Sequence, residues 1–202
     1  MTTKWQIPAD MWRGETVAIL GAGPDMTEEL VATAKGHRTI AVNRAVKFAP
    51  WADMFVALDP HHPFWEEADK LGFDGMRVIG VEHDDYDALY PGMMYERVTL
   101  RSGDEIEVRN NALAAIRIAF LAGAKKIILL GFDPERYEEV HAHTGFRGLC
   151  EGLEQIVAEI KAAGIEVERI DSEKQRPGHR PARRSEQIDP EIFPEQKPRK
   201  KK

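Results

Sequence analysis

The segment Glu15–Leu30, ETVAILGAGPDMTEEL, constrains the fold of this chain more than any other. Thr16–Leu20 is a short apolar run, partly β-branched, as expected of a buried strand. Gly21-Ala22-Gly23-Pro24 breaks the run. Asp25 or Thr27 can then cap a helix that carries Glu28 and Glu29 in its first turn. Strand, glycine turn and helix start, in that order, are how an α/β protein presents main-chain N–H groups to a phosphate. The glycines allow a tight turn and close approach of a ligand, and a helix start favours an anion. The segment is not a complete GxGxxG: Met26 stands where the third glycine would be, and Pro24 has no amide hydrogen. Two readings stay open. Gly21, Gly23 and Pro24 line a nucleotide phosphate, or they make a tight turn with no ligand.

The rest of the chain continues the alternation. Thr39–Val42, Met54–Leu58, Arg77–Val81, Lys126–Leu130 and Ile165–Ile170 read as strands. Asp25–Lys35, Pro63–Leu71, the stretch beginning Asn110-Asn111, and Leu149–Ala163 read as helices, with Gly36 and Gly123 closing the first and third. Tyr95–Leu100 and Glu105–Val108 flank Ser102-Gly103-Asp104 and suggest a hairpin insertion. Strands alternating with helices give an α/β fold: a mostly parallel sheet with helices on both faces. Residues 1–14 read as a lead-in containing Trp5 and Trp12, 15–172 as one nucleotide-binding domain, and 173–202 as a disordered, proline-rich, basic tail.

Charge separates the tail from the body. The tail holds 10 Lys+Arg against 5 Asp+Glu, leaving 18 basic and 29 acidic residues in the rest of the 202. An acidic body argues against nucleic-acid binding as the core function, while the tail could contact an acidic partner. The one cysteine, Cys150, fits a helix core and a reducing compartment. With no apolar leader and no transmembrane segment evident, the expectation is a cytoplasmic protein.

In parallel sheets ligands bind beyond the carboxyl ends of the strands. That rule selects Gly21–Asp25, Asn43-Arg44, Asp59–His62, Gly131–Asp133 and the start of the Asn110-Asn111 helix. Asn43 can donate to phosphate or accept from a sugar hydroxyl, or simply make an Asx turn. Arg44 can neutralise phosphate charge. Asp59 and Asp133 end apolar strands and could hold a magnesium ion beside a diphosphate, or cap the turns that follow. His61-His62 read either as ligand contacts or as a polar loop. His141 and His143 lie in a polar stretch before the last helix, a natural mobile lid, where an imidazole can take a proton from an acceptor hydroxyl.

VAILGAGPD, IAVNRA, NNALAAIRIAFLAGAKKIILLGFD, and a histidine shortly before an amphipathic helix occur in an order that resembles bacterial lipooligosaccharide sialyltransferases and the related motility-associated-factor glycosyltransferases. The resemblance spans roughly Thr16 to Ile170, with its most specific piece in the block ending GFD. It implies a Rossmann-like fold and a CMP-linked sugar as donor. Gly21, Gly23 and Pro24 would then lie near the nucleotide phosphate, and Asn43 would contact phosphate or sugar. Asn110-Asn111 would stand beside the donor, His143 would be the lid base, and His141 the second candidate. The family's GPS is GPD here, so Asp25 replaces a serine hydroxyl. Pterin and thiamine pyrophosphokinases share the same general look and hold magnesium through a strand-end aspartate, which implies that part for Asp59. A non-catalytic nucleotide-binding protein is the third expectation.

Overall fold

The computed structural model describes residues 7–21, 23, 26–59, 62–80, 96–98, 110–132 and 149–170. The strands are β1 (Thr16–Leu20), β2 (Arg38–Val42), β3 (Met54–Val56), β4 (Met76–Gly80), β5 (Glu96–Val98), β6 (Lys126–Leu130) and β7 (Glu166–Ile170). The helices are α1 (Glu28–Ala34), α2 (Phe64–Lys70), α3 (Asn111–Leu121) and α4 (Leu149–Ala162), and a 3-10 turn spans Asn43–Lys47. Together the strands form one sheet in the order β5-β4-β3-β2-β1-β6-β7. All its neighbouring pairs are parallel. The fold is α/β and Rossmann-like, as expected.

Parallel strands covered on both faces must be apolar on both faces, and β1 shows it. Val17, Ala18, Ile19 and Leu20 are all fully buried. Val17 and Ile19 point to one layer, where they meet Leu113, Ile116, Leu153 and Ile156 of α3 and α4. Ala18 and Leu20 point to the other, among Leu30, Val31, Val46, Phe64 and Trp65. The alternation of two along each strand thus builds two cores from one continuous apolar run. Trp12 of the lead-in belongs to the first core, and its main-chain N–H donates to Ala122 O at 2.8 Å, closing the carboxyl end of α3. Thr27, rather than Asp25, is the cap of α1: its Oγ1 accepts from Leu30 N–H. Cys150 is half-buried on α4.

The strand expected at Tyr95–Leu100 is present as β5, a parallel neighbour of β4. Its expected hairpin partner, Glu105–Val108, lies outside the described residues. So do Trp5, Pro24, Asp25, His61, Asp133, the lid stretch with His141 and His143, and the 173–202 tail.

The amino edge of the sheet is laced with ions. Arg38 at the start of β2 reaches Glu15 at 2.8 Å and Asp53 at 3.0 Å, and the other oxygen of Asp53 accepts from Thr39 N–H. At the start of β6, Lys126 meets Glu166 and Glu168, each at 2.8 Å. The carboxyl edge is built differently.

Candidate functional site

The strand order reverses direction between β1 and β6, so the crevice rule points to the loops that follow these two strands. There the backbones come very close. A Cβ placed on Gly21 would lie 2.7 Å from Gly131 O and 3.1 Å from the Phe132 ring, and one on Gly23 would also lie 2.7 Å from Gly131 O. Both glycines are therefore required by the approach of two loops, before any ligand is considered. The Gly21 N–H already donates to Leu130 O at 2.9 Å, so it is not a free donor for an anion. Gly131 has φ +67, and a Cβ there would lie 2.8 Å from Met26 Cε. Met26, at the position of the missing third glycine, packs over Gly131.

One strand over, the carboxyl end of β2 leaves polar atoms unpaired. Asn43 directly follows β2 with φ 51, the only non-glycine positive φ among the described residues. Asparagine tolerates this left-handed region better than most side chains because its short amide bonds locally. Here the amide makes no such bond: its Oδ1 is buried and has no hydrogen-bond partner among the described residues. Arg44, half-buried beside it, extends Nη2 to Gly23 O at 3.4 Å and lays its guanidinium 5.7 Å from the Phe48 ring centroid. Its Nε is likewise buried without a partner. Gly23 thus turns a carbonyl, rather than an amide, toward Arg44.

At the end of β3 the Asn111 Oδ1 accepts from Leu58 N–H at 2.7 Å, tying the start of α3 to the strand end. Asn110 is the cap of α3: its Oδ1 accepts from Ala112 N–H at 2.8 Å and Leu113 N–H at 3.3 Å. The oxygens of both asparagines therefore hold the fold at the start of α3. The exposed Asp59 follows. Its main-chain oxygen accepts from His62 N–H at 3.3 Å and Trp65 Nε1–H at 3.0 Å, fixing the turn into α2. Among the described residues no three of His, Cys, Asp and Glu gather as a metal site.

His62 is the residue that sequence reasoning undervalued. Its ring stacks on Phe64, with centroids 4.2 Å apart and planes at 24°. Its Nδ1 is buried without a partner. Burial pushes its pKa below the ordinary 6.5, against the opposing pull of the Asp59 carboxylate. The available signal was the aromatic pair Phe64-Trp65, which walls off a side chain that otherwise reads as a polar loop residue.

The structure therefore brings Gly23, Asn43 and Arg44 to one corner, places Asp59 and His62 at the neighbouring strand end, and uses Gly21, Asn110 and Asn111 largely to hold the frame. No helix among the described residues is long and apolar enough to cross a membrane. The sequence matches no protein-family model and no curated protein.

Proposed function

We propose that this chain is a nucleotide-sugar-dependent glycosyltransferase that takes a CMP-linked donor. The observation that carries the reading is Asn43: a left-handed, non-glycine residue at the carboxyl end of a central parallel strand, with a buried unpaired oxygen beside an arginine. Strain and an unmet polar group held together at a strand end are what a binding site retains and a purely structural turn discards. Arg44 supplies positive charge for the leaving phosphate, and Asn43 addresses the sugar.

In this reading the acceptor hydroxyl attacks the anomeric carbon as its proton passes to the lid histidine, His143, with His141 as the second candidate. The bond from the anomeric carbon to the phosphate oxygen breaks, and the electron pair leaves with CMP. Base assistance of this kind contributes roughly 10²–10⁴ in rate.

The test is a thermal-shift screen of the full chain against CMP, UDP, GDP, ADP and their sugar conjugates, with and without magnesium. A ligand at 100 times its Kd stabilises by about 2.7 kcal/mol. CMP and a CMP-sugar should shift the melt without magnesium, and the CMP-sugar should be consumed. A shift by ATP that needs magnesium would favour the pyrophosphokinase reading through Asp59. Binding without consumption of any donor would leave a nucleotide-binding protein, and no shift by any nucleotide would refute the reading.

A further inference from the structure

We propose that His62 reads the nucleoside part of the ligand, its Nδ1 accepting a hydrogen bond from a sugar hydroxyl or base N–H. The proposal rests on the nucleotide reading above and adds a recognition residue to it.

Three observations carry it. First, the ring is held in place. It stacks on Phe64, and the main-chain N–H of His62 donates to Asp59 O in the turn that also anchors the Trp65 indole. Phe64 in turn lies 5.8 Å from Lys47 Nζ, which pairs with Glu67 at 2.6 Å. The turn that starts at Asn43 is therefore fastened to the helix that His62 precedes. Second, Nδ1 is buried and unpaired, and so is the Asn43 Oδ1 at the end of the adjacent strand. Third, the two atoms are of one kind. A neutral imidazole carries its proton on one nitrogen, and a buried N–H without an acceptor is rarer in proteins than a buried acceptor without a donor. Nδ1 thus keeps its lone pair, as the amide oxygen does.

Acceptors select donors. The phosphate ester dianion of a nucleotide offers none, whereas a ribose diol or an exocyclic amine offers several. The chemistry at the ends of β2 and β3 accordingly divides: Arg44 suits the anionic part of the ligand, while His62 and Asn43 suit its neutral, hydroxyl-rich or amine-bearing part.

The substitution that tests the ring nitrogens is His62→Phe. It keeps a ring to stack on Phe64 and removes the unpaired nitrogen, so the variant should fold with no loss of melting temperature. Titration calorimetry of the full chain with CMP, UMP, AMP and GMP, with the nucleosides, and with inorganic phosphate is the assay. For the nucleotide that binds wild type, the variant should bind that nucleotide and its nucleoside about tenfold more weakly, with phosphate binding unchanged; one hydrogen bond is worth about that factor. Equal nucleotide affinity in the two proteins would overturn the assignment of His62 alone. An equal fall in phosphate affinity would show a structural role instead. If no nucleotide binds wild type, the nucleotide reading itself falls and this inference with it.

Discussion

Asn43→Gly should make the protein more stable and less able to bind. A non-glycine residue in the left-handed region costs about 1–2 kcal/mol, with asparagine at the low end. A buried acceptor left unpaired costs about 1–3 kcal/mol more. Glycine removes both burdens and returns about 0.5–1 kcal/mol through the added freedom of the unfolded chain. The net expectation is a gain of about 1–3 kcal/mol, which for a chain of this size is an upward shift of roughly 2–12 °C in Tm. Asn43→Ala serves as the control. It discards the oxygen but keeps the β-carbon at φ 51, so it should fall about 1–2 kcal/mol below the glycine variant. Urea denaturation gives both free energies, and calorimetry with the bound nucleotide gives the affinity, which should fall in both variants. A glycine variant less stable than wild type would refute the reasoning, since it would mean that the Asn43 amide holds the fold together.

Two further outcomes follow from the same edge. Gly23→Ala places a Cβ 2.7 Å from the backbone carbonyl of Gly131, so main chain must shift, and it should cost about 1–3 kcal/mol in urea melts whether or not ligand is present. His62 has a pKa in the fold below its ordinary 6.5, so protonation is easier in the unfolded chain. Its contribution to stability should be complete above about pH 6.5 and be lost as pH falls from there through the lower folded value. Melting curves of wild type between pH 7.5 and 5 should therefore show a decline that His62→Phe reduces, and identical slopes would count against a buried neutral imidazole.

The architecture was legible because the physics of parallel sheets is written locally. A strand buried on both faces must be an unbroken apolar run, and TVAIL, MFV and KIILL are such runs between turn residues. The helix starts were legible in Thr27 and in the Asn110-Asn111 pair, although only geometry distinguishes the asparagine that caps from the one that bonds Leu58. Asn43 and Arg44 were reached by the rule that sites lie at strand ends. The glycines at 21 and 23 were harder to read. Their cause is the carbonyl of Gly131, far along the chain, and a backbone approach over that distance leaves no local pattern. His62 escaped for a related reason: the burial of one ring nitrogen depends on how a turn folds against an aromatic wall, which residue type alone does not encode.

The position of β1 has a consequence for how the protein is made. Its two neighbours are β2, which follows closely, and β6, whose Lys126–Leu130 leaves the ribosome only after most of the domain. Until then one flank of Val17–Leu20 has open hydrogen-bonding groups and bare apolar side chains, an edge ready to pair with any extended chain nearby. A product of premature termination before residue 126 would keep that edge permanently. Such fragments should aggregate or be degraded, and the first half of the chain should fold only when the second half is supplied.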